Sequence, residues 1–148
     1  MDRVLVLAMT LVAALAACAP GGAEPSTSAA APAETPGVAP AEVAGSWQLI
    51  QIGEAAIGAG AIPTLEVTDT GAASGSAGCN QFSGSVVVSA DEIRFGPLAT
   101  TKMACGKPID ALEARYLAAL SAARTWTIDG GGNLVIEGGD RLVYQPHP

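Results

Sequence analysis

The run Thr125-Trp126-Thr127-Ile128-Asp129-Gly130-Gly131-Gly132-Asn133-Leu134-Val135-Ile136-Glu137-Gly138-Gly139-Asp140-Arg141-Leu142-Val143-Tyr144 decides the fold. Thr125, Thr127 and Asp129 alternate with Trp126 and Ile128, and Leu134 and Ile136 alternate with Val135. That period of two is the mark of a strand. Asp129 to Asn133 and Gly138-Gly139-Asp140 are turn-forming interruptions. Strand, turn, strand, turn, strand is a meander closing the chain.

Working outward, the segment before the meander changes period. Ile109, Leu112, Tyr116 and Leu120 are spaced three, four and four apart, within a stretch rich in Ala and Leu. This predicts one amphipathic helix of about 13 residues over 111–123. Asp110 followed three residues later by Glu113 has the form of a capping box, and Pro108 suits the first turn. Upstream, short β patterns return. Trp47, Leu49 and Gln51 alternate with Gln48, Ile50 and Ile52, an apolar strand expected to be covered on both sides. Leu65 and Val67 share one face of 62–68, followed by an Asp69-Thr70-Gly71 turn. Ala72 to Ala77 reads as a small, Gly-rich strand, Val86-Val87-Val88 is β-branched, and Ile93 and Phe95 share a face. The expected class is therefore a β-rich α+β single domain: antiparallel strands, one amphipathic helix and a C-terminal three-strand meander.

Between these strands lies Gly75-Ser76-Ala77-Gly78-Cys79-Asn80-Gln81-Phe82-Ser83-Gly84. The string resembles the GxxGCNxFxG signature of the META domain family, which includes the HslJ heat-shock lipoproteins. Other segments fall in the family's order. Trp47 and Leu49 resemble its opening W-x-L strand, and Thr101-Lys102-Met103-Ala104-Cys105 its T-x-M-A-C segment. Glu113, Tyr116, Leu117 and Leu120 resemble its E-x-x-[FY]-L-x-x-L helix. The likeness runs from Ala44 to Tyr144. It departs at Glu54 to Ala61, mostly Ala and Gly where polar residues are expected, which speaks against a ligand role for that loop. The resemblance implies a small, exported, often membrane-tethered β-rich domain associated with heat shock, antibiotic tolerance and motility or virulence. It implies no defined molecular activity.

The N-terminus carries an address. Arg3 precedes an apolar run from Val4 to Ala17 broken only by Thr10. Those residues are too few for the roughly 20 of a spanning helix, and they suit a signal-peptide core. Leu15-Ala16-Ala17-Cys18 resembles a bacterial lipobox, in which the Cys18 thiol takes a diacylglycerol and the new amine is acylated after cleavage. Ala19 follows in place of Asp, which in a Gram-negative cell corresponds to the outer membrane, facing the periplasm. Residues 19–43 contain five prolines, no Leu, no Ile and no aromatic residue, and read as a solvated spacer. The organisation expected is a signal peptide over 1–17, a lipidated Cys and Ala/Pro-rich tether over 18–43, and a folded domain over 44–148.

Of 148 residues, 14 are acids and 7 are bases, a net charge of −7. That balance opposes nucleic-acid binding, which needs clustered Lys and Arg. The expected partners are the membrane, through the lipid on Cys18, and another envelope protein. The single histidine, His147, leaves the serines at 74, 76, 83 and 85 without a neighbouring base in sequence, so neither a hydrolytic triad nor a zinc site is expected. No enzyme activity, cofactor or metal is expected.

Once Cys18 is acylated, Cys79 and Cys105 remain. An even pair in an exported chain points to a disulfide, with two unbonded buried thiols as the alternative. Their spacing lacks the C-x-x-C of a redox pair. Gly78, Asn80, Phe82 and Gly84 are the candidate binding loop, with a structural turn as the competing reading. Lys102 reads as a solvated charge, Asp91-Glu92 as a solvated turn, and Trp47 and Trp126 as core.

Overall fold

The computed structural model describes residues 39–148; the expected signal peptide, Cys18 and the expected spacer up to Val38 lie outside the described residues. The elements are β1 (Gly45–Ile52), β2 (Ala55–Ala56), β3 (Thr64–Val67), β4 (Ala72–Ser76), β5 (Gln81–Val88), β6 (Ile93–Phe95), β7 (Ala99–Thr100), α1 (Lys107–Ala122), β8 (Thr125–Ile128), β9 (Leu134–Glu137) and β10 (Leu142–Pro146). Every strand pairing is antiparallel. The order is β6-β5-β4-β3-β1-β10-β9-β8, with β2 on β1 and β7 on β5. The end strands meet: Ile93 N–H donates to Arg124 O at 3.0 Å, Trp126 N–H donates to Asp91 O at 3.0 Å, and Glu92 bridges Thr125. The sheet is thus rolled into a nearly closed barrel, which removes most of its free edge. The expected class holds, and the meander is β8-β9-β10.

Alternation sends Trp47, Leu49, Leu65, Val67, Phe82, Val86 and Val88 inward, and all are buried. In β1 the alternation fails after Leu49. A bulge between Leu49 and Gln51 shifts the register against β10, so Ile52 is buried where Gln51 is expected. Gln51 instead donates its side-chain N–H to Gly53 O at 2.7 Å. Both tryptophans are core residues whose indole N–H groups find carbonyls: Trp47 donates to Val43 O and Trp126 to Ser89 O. Val43 is fully buried and Ala39 nearly so. The folded unit therefore begins before Ala44, because the indole of Trp47 needs this preceding turn as both cover and acceptor.

Helix α1 begins earlier than expected, at Lys107, with Gly106 at its N-cap and Pro108 in the first turn. Asp110 is not the cap. It lies inside the first turn and accepts Cys105 N–H at 3.0 Å. Glu113 makes no capping box either; its carboxylate turns to the β4–β5 connection. The helix buries Tyr116, Ala119 and Leu120, while Leu112 and Leu117 are half-buried. At its C-terminal end Gly138, at φ 138°, lets the β9–β10 turn come close: a Cβ there would strike Ala122 O and Arg124 N.

Tyr116 lies edge-on between Phe82 and Tyr144, with ring centroids 5.9 and 6.4 Å apart. Its hydroxyl donates to Thr64 O at 3.3 Å and accepts from Tyr144 at 3.1 Å. Burial pushes both phenols well above the ordinary tyrosine range. These are the two tyrosines of the chain. Above pH ~10 an unfolded chain loses both phenol protons while the folded one keeps them, so stability falls as pH rises, at about 2.7 kcal/mol per pH unit. We expect no phenolate absorbance at 295 nm until the chain unfolds, with ionisation and loss of the far-ultraviolet signal coinciding in one alkaline titration. Separate transitions would contradict this packing.

Candidate functional site

The β4–β5 turn closes with Ala77 N–H on Asn80 O at 2.7 Å, and Gly78 adopts φ 113° within it. This turn delivers Asn80 to a buried position at 3% exposure. Its side-chain oxygen accepts Met103 N–H at 2.7 Å and the Thr101 hydroxyl at 2.8 Å. Its side-chain nitrogen donates to Met103 O at 3.0 Å and to Glu113 Oε1 at 2.8 Å. The other oxygen of Glu113 accepts Asn80 backbone N–H at 2.8 Å. Met103 presents both a donor and an acceptor, so the amide can face it in one orientation only. Two acceptances and two donations exhaust a carboxamide. Asn80 therefore has no hydrogen-bonding capacity left for a ligand.

The other residues of the candidate loop are also structural. Phe82 is buried at 3% exposure against Tyr116. A Cβ at Gly84 would stand 2.8 Å from Leu98 Cδ2 and from Pro97 O, so glycine lets the 96–98 connection cross β5. Cys79 and Cys105 are paired at disulfide distance, with Cα atoms 6.0 Å apart. The pair joins the same two segments that Asn80 joins. The roles of Glu113, Thr101 and the Met103 backbone were missed in the sequence. One signal was present: Glu113 lies four after Ile109 and three before Tyr116, a carboxylate on the apolar stripe that requires a partner.

What remains open to a ligand is a cleft of about 690 Å³ crossing β1, β3, β4, β5 and β7. It is lined by hydroxyl and amide side chains, among them Ser46, Ser74, Gln81, Ser83 and Thr100, with Glu66 and His147 as its ionisable groups. His147 is thus not a detached tail residue: its backbone N–H donates to Ser46 O at 2.9 Å. Its ring makes no hydrogen bond to a serine among the described residues. A smaller groove of about 420 Å³ lies between Ile57, the Ala/Gly loop after it, and Ile109 and Leu112 of α1. Asp91 and Glu92 are exposed, as expected for a solvated turn, and so is Lys102. Among the described residues no group of three or more His, Cys, Asp or Glu side chains could hold a metal.

A nearly closed antiparallel barrel with one packed helix, its turn and pre-helix segments fastened by a buried Asn, defines a small β-barrel class. Within that class, the chain belongs to the META domain family, whose profile matches residues 41–148. The match starts before Ala44, in keeping with the burial of Val43. The fold is similar to the NMR structure of a protein from Burkholderia xenovorans, at 27% identity and a TM-score of 0.57, covering 70% of this chain and 81% of that one. No curated protein matches the chain.

Asn80→Asp should destabilise the domain more than Asn80→Ser. The carboxylate cannot donate to Met103 O and would face the Glu113 carboxylate. Each buried group left without a partner costs about 1–3 kcal/mol. Urea unfolding at pH 7 should show Asn80→Asp losing several kcal/mol, with part recovered by adding Glu113→Gln. Equal stability of wild type and Asn80→Asp would contradict the network.

Proposed function

We propose that this META domain is a non-catalytic binding or scaffold module, held at the cell envelope by lipid on Cys18 and serving envelope stress or antibiotic tolerance. In a Gram-negative host the module would hang from the outer membrane into the periplasm. The observation that carries the reading is the saturation of Asn80. The most distinctive polar residue of the domain spends all its bonds on holding the exposed segment 99–106 in place, which is the economy of a presented surface rather than of a reactive centre. The lipobox-like Cys18 and the Pro-rich spacer support tethering. The 20 spacer residues from Ala19 to Val38 reach roughly 70 Å when fully extended. Among the described residues no helix is long and apolar enough to cross a membrane.

A second reading, a small-ligand or peptide binder using the face near Asn80, is favoured by the cleft that abuts Gln81, Phe82 and Ser83. A ligand that occupies it should raise the melting temperature in proportion to the logarithm of its concentration above Kd.

In-cell crosslinking of the full-length protein, with Cys18→Ser as control, tests the tethered module. Wild type should incorporate palmitate label and capture a reproducible envelope protein, and Cys18→Ser should lose both. Capture of the same protein by both forms would remove the anchor from the mechanism. Absence of label on wild type would remove the lipid.

A further inference from the structure

Resting on the binding-module reading, we infer that the free edge formed by β7 and the segment after it, Thr100 to Ala104, is a docking site for an extended acidic peptide that adds as a strand.

The backbone directions carry the argument. Thr101 N–H donates to Gln81 O at 3.0 Å, so Thr101 faces β5. Phe82 and Thr100 are then the non-hydrogen-bonded pair of the ladder, and the Thr100 amide and carbonyl point away from β5. Met103 turns both its backbone groups inward, to the Asn80 side chain. The alternation places 99, 101 and 103 inward and Thr100, Lys102 and Ala104 outward. The amides of Lys102 and Ala104 have no protein acceptor among the described residues. Every residue from Ala99 to Pro108 is exposed, so among the described residues no element covers this edge. It is a row of backbone donors and acceptors at strand spacing, the template that strand addition uses.

The edge is also held in place, and of its own side chains Thr101 contributes: its hydroxyl donates to Asn80 Oδ1 and accepts Gln81 N–H. Met103 is 61% exposed, the most exposed large apolar side chain among the described residues. Asn80, Glu113 and the Cys79–Cys105 pair hold the backbone from behind. A strand immobilised in its bound shape loses less entropy on docking.

Charge names the partner. The chain has two lysines: Lys102 lies within this edge and Lys107 follows it by three residues. Neither forms a salt bridge among the described residues, whereas Arg94, Arg115 and Arg141 are each paired with an acid. From Ala44 onward the domain carries 10 acids against 6 bases, net −4. The edge is thus a local cationic stretch on an acidic domain, matched by a segment with Asp or Glu on alternate positions. A lysine can instead guard an edge against self-pairing. A guard, however, predicts aggregation when Lys102 is replaced and no peptide binding.

The test is selection of a displayed random-octapeptide library on the full chain in detergent, followed by amide hydrogen exchange with the selected peptides. We expect peptides with acids at alternate positions, at least tenfold slower exchange at Lys102 and Ala104, and at least tenfold weaker binding to the Lys102→Glu/Lys107→Glu variant. N-methylation of alternate peptide amides should abolish binding. An Asn80→Ser variant that remains folded should bind at least threefold more weakly, because the edge is no longer held. Selection of no peptide, selection of basic peptides, or binding that survives N-methylation would each overturn the inference. Protection confined to Glu66, Ser74 and Ser83 would overturn it too, while leaving the binding-module reading in place through the cleft. The crosslinking capture decides that reading separately.

Discussion

A strand needs a partner, and at Met103 the partner is a side chain. The β5–β7 ladder ends at Gln81 and Thr101 because the chain turns away at Asn80. Beyond that point the carboxamide of Asn80 takes the place of a peptide unit, offering Met103 an acceptor for its N–H and a donor for its C=O. Only a primary amide at this reach can do both: a carboxylate lacks the donor, and a hydroxyl cannot span the two groups. Glu113 then completes Asn80 through two charge-assisted bonds, one to the side chain and one to the backbone. One residue thereby ties the β4–β5 turn, the pre-helix segment and α1 together.

The disulfide-distance pair acts on the same segments by a different route. A crosslink between residues 26 apart restricts chiefly the unfolded chain, by about 3.5 kcal/mol in the loop-closure account. Asn80 acts on the folded state, by orienting groups that the crosslink merely keeps close. The two constraints are therefore complementary: a Cys pair alone would permit the 101–105 backbone several orientations, and the Asn80 network selects one. A second anchor lies deeper along α1, where Tyr116 bonds to β3 through Thr64 and to β10 through Tyr144. Glu113 and Tyr116 lie on the same stripe, so one helix face holds the turn region and the barrel interior at once.

Period and turn chemistry made the strands, the helix and the meander legible, because each is a local pattern that burial then enforces. What escaped was non-local or compensating. The bulge in β1 depends on register with β10, which no β1 residue announces, so Ile52 rather than Gln51 continues the buried face of Trp47 and Leu49. The capping box at Asp110 and Glu113 is a local pattern overridden by tertiary partners: Cys105 N–H took Asp110, and Asn80 took Glu113. Ala39 and Val43 read as spacer because their neighbours are Pro, Ala and Glu, yet Trp47 folds them inward. Of the site, the pairing of Cys79 and Cys105 was legible once an exported chain with Cys18 set aside was expected. The saturation of Asn80 was not, since it requires knowing that Met103 turns its backbone inward.

These features also place the two ends of the domain. The described chain starts at Ala39, whose N–H is bonded to Asp69 O in the β3–β4 turn. Asn80 lies past the opposite end of β4, a strand of five residues, or about 17 Å. The buried turn before β1 therefore does more than cover an indole: it fixes Ala39 beside the β3–β4 turn, at the end of β4 opposite to Asn80.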